Sequence, residues 1–237
     1  MFKWIFLILI TPSLLFAKQP ALHVGTINFY PPFVTRLESS GGFSGFDIDI
    51  MSEICYRLKK RCVFHAYRLD DILTLIEKNE IDVAIGGILI TDTREKLINF
   101  SEPYATSELV FLVAEHQKPT FNNDTTGMLT WLSEKWLKTL EIDPYRIKHY
   151  DDIYNMVDDL VNGVISKALM DSQVAKYWVD SSDFDVVIDG DQHIVGHGYG
   201  IAISPQHKNL KKQIDDILNQ MEIDGTYIKI YNNYFPL

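Results

Sequence analysis

Hydrophobic positions along this chain switch repeatedly between the alternation of a strand and the wider spacing of a helix face. LHVGTI (22–27) reads as a strand, and NFYPPFVTRLESSGGFSG (28–45), rich in Pro, Gly and Ser, as a loop. A helix is expected over 47–60, because Phe46, Ile50, Ile54 and Leu58 recur every four positions with Met51 and Cys55 beside them. CVFHAY (62–67) then reads as a strand, LDDILTLIEKN (69–79) as a short helix with Leu69, Leu73 and Ile76 inward, and IDVAIGGILI (81–90) as an apolar strand. This order implies an α/β fold with a mainly parallel sheet covered by helices. Open sheets of that kind bind ligands beyond the carboxyl ends of their strands, which points to the loops after Ile27 and Ile85.

A second α/β unit is expected from about residue 115 to 192. YDDIYNMVDDLVNGVI (150–165) is an amphipathic helix with Ile153, Met156, Val157 and Leu160 inward; ISKALMD (165–171) is a strand, SQVAKYWVDSS (172–182) a helix and FDVVID (184–189) a strand. HGYGIAISP (197–205) reads as a glycine-bearing strand. KNLKKQIDDILNQMEIDG (208–225) reads as a helix with Leu210, Ile214, Ile217, Leu218 and Met221 on one face and Gly225 as its stop. SELVFLVAEH (107–116) has no loop-like break on either side and is a candidate strand crossing between lobes. No internal repeat and no low-complexity stretch occurs.

Composition narrows the class. With 237 residues, 46% apolar and 23% charged, the chain is an ordinary globular one, long enough for one large domain or two lobes with separate cores. Twenty-two Lys and Arg against 32 Asp and Glu give a net charge of -10, and no basic run is interleaved with aromatics. Nucleic acid is therefore not an expected partner.

The first seventeen residues, MFKWIFLILITPSLLFA, carry Lys3, an apolar run from Trp4 to Ile10, a second patch at Leu14 to Phe16, and the small Ala17. They read as a cleaved secretory signal rather than a membrane anchor, since Thr11, Pro12 and Ser13 interrupt the apolar stretch. No Cys stands at the cleavage point to carry a lipid. Export implies an oxidising compartment, where Cys55 and Cys62 are expected to bridge the end of a helix to the start of the next strand; two buried free thiols are the alternative. No His or acid lies at ligand spacing from both sulfurs, so a metal site there is not expected. His23, His116, His149, His193, His197 and His207 are scattered without metal spacing. GGFSGF precedes a helix without the Lys and the leading strand of a phosphate loop. No cofactor is expected, and no Ser/His/Asp or Cys/His arrangement can be argued from position alone.

GTINFYPPF, GFSGFDIDIMSEIC, IDVAIGGILITDTREKLINFSEPY, ALMD, GYGIAI and EIDGTYIKIYNNYF, taken in order over nearly the whole mature chain, resemble the family 3 extracellular solute-binding proteins. These are the periplasmic amino acid-binding proteins of bacterial ABC importers. Within them the chain looks most similar to the arginine and lysine/arginine/ornithine branch, which also has a Cys pair at the end of this helix and the start of this strand. The resemblance implies a two-lobe α/β periplasmic binding protein fold of type II with two hinge strands. The signal would occupy 1–17, lobe 1 residues 18–110 and 197–237, and lobe 2 residues 111–196. It also implies a monomeric periplasmic receptor that closes over a polar amino acid, leaning to arginine or another basic one, and delivers it to an inner-membrane ABC permease.

Residue roles follow by the same resemblance. Arg94 in TDTREKLINFSEPY matches the arginine that clamps an α-carboxylate, with a solvated charge at a helix start as the alternative. Asp171 in ALMDSQVA matches the acid that reaches the α-ammonium from the second lobe; its alternative is a helix cap. Tyr30 matches the aromatic that packs on the ligand side chain, against an exposed loop Tyr. Gly86 and Gly87 match positions that hold the α-ammonium, against strand-end packing.

Several positions depart from the pattern. Ile27 stands where basic-amino-acid binders carry an acid, Leu69 where a second aromatic sandwiches the ligand, and Leu89 where a hydroxyl contacts it. The family's strand and glycine-threonine turn at the start of lobe 2 is not visible in KPTFNNDTTGMLTWLSEKW, where Gly127 and Met128 are the nearest stand-ins. Glu38, Asp70 or Asp71 could replace the missing acid, whereas Arg68 favours an acidic or neutral ligand. Two alternatives to an importer receptor remain. One is a periplasmic dehydratase of the cyclohexadienyl type, with Asp171, Glu38 or His65 as candidate acids. The other is a ligand sensor without a transporter.

Overall fold

The chain folds as the alternation of its apolar periods directs, and the computed structural model describes residues 19–115, 124–132, 136, 140–181, 184–207 and 209–235. The expected signal segment and His116 lie outside them. The first strand, β1 (Ala21–Thr26), leads into three short strands, β2 (Phe29–Tyr30), β3 (Val34–Arg36) and β4 (Phe43–Ser44). Helix α1 (Phe46–Arg57) follows, then β5 (Arg61–Ala66), α2 (Leu69–Glu77), β6 (Val83–Ala84) and β7 (Asn99–Phe100). Strands β8 (Glu108–Ala114), β9 (Thr126–Leu129) and β10 (Ile147–Tyr150), α3 (Ile153–Val161), β11 (Lys167–Asp171), α4 (Ser172–Asp180) and β12 (Val186–Ile194) come next. The chain ends with β13 (Ala202–Ile203), α5 (Leu210–Ile223) and α6 (Thr226–Tyr234).

Two five-stranded sheets result, ordered β5-β1-β6-β13-β7 and β10-β9-β11-β8-β12. In the first, β1 runs parallel to β5 and β6, while β13 is antiparallel to β6 and β7. In the second, β9 runs parallel to β10 and β11, and β8 is antiparallel to β11 and β12. Two segments cross between the sheets side by side. Ser107 and Val195 exchange hydrogen bonds, Val195 N–H donating to Ser107 O at 3.1 Å, and Tyr199 N–H donates to Ala105 O at 2.8 Å. This is a two-lobe α/β fold with two hinge strands.

Several local expectations change. The segment 28–45 is not a plain loop, because β2, β3 and β4 pair into a small antiparallel sheet. Gly45 makes the exit possible: its φ is 130°, and a Cβ there would lie 2.2 Å from the carbonyl oxygen of Phe33. The first helix stops at Arg57, short of residue 60, as Lys59 turns left-handed (φ 55°) and Lys60 N–H closes back on Cys55 O at 2.9 Å. Ile72 is fully buried on α2, whereas Leu73, expected inward, is only half-buried. The apolar run 81–90 pairs as a strand only over Val83–Ala84, since Gly86 and Gly87 turn the backbone at positive φ. Likewise only Ala202–Ile203 of 197–205 forms a strand. TYIKIYNNY, which has no clear helical stripe, is helix α6; its rings close over Phe46, with Tyr227, Tyr231 and Tyr234 at centroid distances of 6.0, 6.0 and 6.3 Å.

Cys55 and Cys62 form a disulfide with 5.8 Å between their Cα atoms, tying the end of α1 to the start of β5. Among the described residues no helix is long and apolar enough to cross a membrane.

Candidate functional site

Because β1 and β6 are parallel neighbours, the loops leaving their carboxyl ends lie side by side. Ile27 to Tyr30 leave β1, and Gly86 and Gly87 follow β6. A Cβ on Gly86 would sit 3.4 Å from the Ile27 side chain, and one on Gly87 3.2 Å from the Tyr30 ring. Gly87 thus forms a floor directly beneath Tyr30, whose ring is buried and stacked on Phe33 at 5.9 Å.

Arg94 stands on the turn that follows. Its guanidinium is largely out of water and donates to Leu89 O at 2.8 Å and to Trp131 O, across the cleft, at 3.5 Å. Burial pushes its pKa down, and Asp70 acting through space pushes it back up. Among the described residues no carboxylate pairs with it.

From the other side Asp171 ends β11, 1% exposed. One oxygen caps α4, accepting from the backbone N–H of Gln173 at 2.7 Å and of Val174 at 3.3 Å. The other accepts from the Tyr199 hydroxyl at 2.8 Å. The helix-cap alternative therefore describes one oxygen of the carboxylate and leaves the second facing the hinge. Burial raises the Asp171 pKa to about 6 despite these donors. The Tyr30 phenol is raised well above its usual value by burial first and by the Asp171 charge second.

The lobes meet over a small cavity of about 10 Å³, with Tyr30, Leu89, Trp131, Met170 and Tyr199 in its wall. A wider cleft of about 150 Å³ opens outward beside it, walled by Tyr30, Leu69 and Trp131 and rimmed by Arg68, Asp70, Asp151 and Asp152. Arg68 reaches across the mouth to Asp151 at 3.0 Å.

Tyr30, Leu69, Gly86, Gly87, Leu89, Arg94 and Asp171 thus gather where the lobes meet. Of the substitute acids, Asp70 lines the cleft, while Glu38 and Asp71 do not; His65 instead stacks on His23 on β5 and β1. Gly127 and Met128 are interior to β9 and do not face Arg94; a Cβ on Gly127 would lie 2.5 Å from the Ile165 side chain. It is the turn after that strand, at Trp131, that meets Arg94. His197, which has no metal spacing in the sequence, lies 2.8 Å from Asp92, with Glu95 beside them; these three exposed groups are close enough together to share a cation.

Three residues escaped the sequence reading. Trp131 hides in a stretch that lacks the expected turn, and Tyr199 in GYGIAI showed only as strand. Asp47 is the third: fully buried, it accepts from Gly87 N–H at 2.7 Å and the Tyr104 hydroxyl at 2.9 Å, and its other oxygen has no hydrogen-bond partner among the described residues. Burial raises its pKa to about 7. The only sequence signal was an acid in the inward stripe of GFDIDI.

A family model for bacterial extracellular solute-binding proteins, family 3, matches residues 22–237. This chain belongs to that family. Among the curated family relatives, the arginine-binding periplasmic protein of Mannheimia haemolytica is 29% identical over 208 residues, 86% of this chain and 87% of that protein. ABC transporter arginine-binding protein 1 of Escherichia coli K12 is 27% identical, covering 91% of this chain and 90% of its own. Of solved family structures, an arginine 3rd transport system periplasmic binding protein from Legionella pneumophila superposes with a TM-score of 0.82 at 32% identity, over 92% of this chain and 100% of that one. An ancestral arginine-binding protein bound to glutamine gives 0.81 at 28% identity over 93% and 100%.

Proposed function

We propose that this family 3 protein is a periplasmic receptor for a basic amino acid, arginine first, which it hands to an inner-membrane ABC permease. The observation that carries the reading is Arg94, a guanidinium partly withdrawn from water at the lobe junction, with backbone carbonyls but, among the described residues, no acid for partners. A half-buried cation of this kind calls for an anion, and a planar fork of donors suits a carboxylate. Asp171, buried with a raised pKa on the opposite lobe, offers the matching charge for an α-ammonium.

In this reading Tyr30, Leu69, Gly86, Gly87, Leu89, Arg94 and Asp171 line the binding site. The lean to a basic side chain rests on the three acids at the rim, Asp70, Asp151 and Asp152, against the single Arg68. They stand where Ile27 cannot supply a charge. Two of the relatives, an arginine-binding periplasmic protein and an ABC transporter arginine-binding protein, agree with that lean. The lobes divide at the paired crossing segments, just before β8 (Glu108–Ala114) rather than inside it at 110/111, and near 196/197 on the return; the signal ends at Ala17, and the monomer closes on its ligand, stabilised by the difference in affinity between closed and open forms. A cyclohexadienyl dehydratase is the less favoured reading, because the relatives are named for binding.

The test is thermal unfolding of refolded, dialysed mature protein against the twenty amino acids, ornithine, citrulline and prephenate. A rise in melting temperature with arginine, larger than with neutral amino acids, is expected. Response to prephenate alone, with phenylpyruvate formed, would replace the receptor reading by the enzyme.

A further inference from the structure

We propose that Trp131 is the cation-selecting wall of the interlobe site, supplying from the second lobe the aromatic face that Leu69 does not provide in the first. The inference rests on the amino acid-receptor reading above and deepens it.

The indole meets the Tyr30 ring edge-on at 5.3 Å, and the same residue's carbonyl receives the Arg94 guanidinium at 3.5 Å. One residue therefore touches both the carboxylate clamp and the aromatic wall. A ligand whose carboxylate sits at Arg94 therefore has the indole and the Tyr30 ring next to it. The turn that presents Trp131 is pinned on both flanks. Thr130 N–H donates to Tyr150 O at 2.9 Å, Leu132 N–H to Leu129 O at 3.0 Å, and the Thr130 hydroxyl to Asp151 at 3.3 Å. Its direction is set by the second lobe.

Tyr30 belongs to the first lobe, so the two rings part when the lobes open and close again on whatever lies between them. Trp131, together with Tyr30 and Leu129, lines both the inner cavity and the outer cleft with its acidic rim. A side chain that passes it meets first an indole face and then carboxylates, and both favour a cation. Among aromatic side chains, indole gives the strongest attraction to a guanidinium or ammonium, most of all out of water. Leu69 can contribute only dispersion.

Arginine and citrulline separate this role from packing, because they have nearly the same shape and differ in charge. Calorimetric titration of both into the wild type, Trp131→Leu and Trp131→Phe is the experiment. The wild type should prefer arginine; Trp131→Leu should reduce the arginine-to-citrulline affinity ratio by about tenfold, and Trp131→Phe by less. An unchanged ratio in Trp131→Leu, whether both affinities fall together or neither moves, overturns the proposal while leaving the receptor reading intact. Binding of neither ligand, nor of any amino acid, by the wild type overturns both. Fluorescence gives a second readout in folded protein: the emission change on adding arginine should shrink in Trp131→Phe, leaving only the part that Trp136 and Trp178 contribute. A change kept at full size would contradict contact between the ligand and this indole.

Discussion

The hydroxyl of Tyr199 donates to Asp171 at 2.8 Å, joining the crossing segment that returns to the first lobe to the strand end of the second. No cation pairs with Asp171 among the described residues, and its pKa stands near 6 because burial disfavours the charged form. An α-ammonium placed there would favour the carboxylate. Below its pKa the acid must release a proton before it can serve. The affinity for arginine should therefore rise as pH increases from 4.5 to 6.5, by up to about tenfold per pH unit at the acid end, and level off above. Calorimetry across that range checks it; a flat profile would remove Asp171 from the site.

Replacing Asp171 by Asn separates its two tasks. Asn caps a helix about as well as Asp, so α4 should keep its start and the melting temperature should change little. Binding should not survive as well. Leaving an α-ammonium buried without its anion costs roughly 3 to 5 kcal/mol, a loss of a hundredfold or more in affinity.

Asp47 should govern stability rather than binding strength. Its pKa is about 7 in the fold against 3.8 for an ordinary Asp, so between those values the folded chain holds a proton that the unfolded chain has lost. Stability must then fall as pH rises through that window, by at most about 4 kcal/mol for this group. Asp171 adds a smaller loss between 3.8 and about 6. Asp47→Asn removes the larger share. Between pH 4 and 7.5 its melting temperature should drop less than that of the wild type, and parallel curves would show that Asp47 does not titrate in this range.

The disulfide closes a short loop, so reduction should cost about 2 kcal/mol in the chain-entropy account. It lies at the far end of α1, remote from Arg94 and Asp171 in the fold. Cys55→Ser with Cys62→Ser should lower the melting temperature by several degrees and leave arginine affinity unchanged.

What the sequence disclosed, and what it hid, follows from the range of the interactions. Helices with a clear apolar stripe, such as α3 and α5, stand where their periods put them, and Asp152 caps α3 through the N–H of Asn155 at 2.9 Å. Runs without such a stripe misled. IDVAIGGILI looked like one strand because apolarity alone cannot register the turn at Gly86 and Gly87. Arg94 and Asp171 were singled out because each sits in a short motif that resembles the family's, and the structure brings both to the lobe junction. Trp131 was not, since its neighbours Tyr30 and Arg94 lie 101 and 37 positions earlier in the chain and only the pairing of the lobes brings them together. Asp47 was hidden for the opposite reason: an acid in the inward stripe of a helix reads as an irregularity until its donors, Gly87 and Tyr104, are seen.

The account centres on Arg94 as the group that holds a ligand carboxylate. Isothermal titration of arginine into refolded, dialysed wild type and into Arg94→Ala tests this most directly. The wild type should bind near micromolar, about -8 kcal/mol, and Arg94→Ala at millimolar or weaker. Equal affinity in the two proteins would contradict the assignment of Arg94 and, with it, the site described.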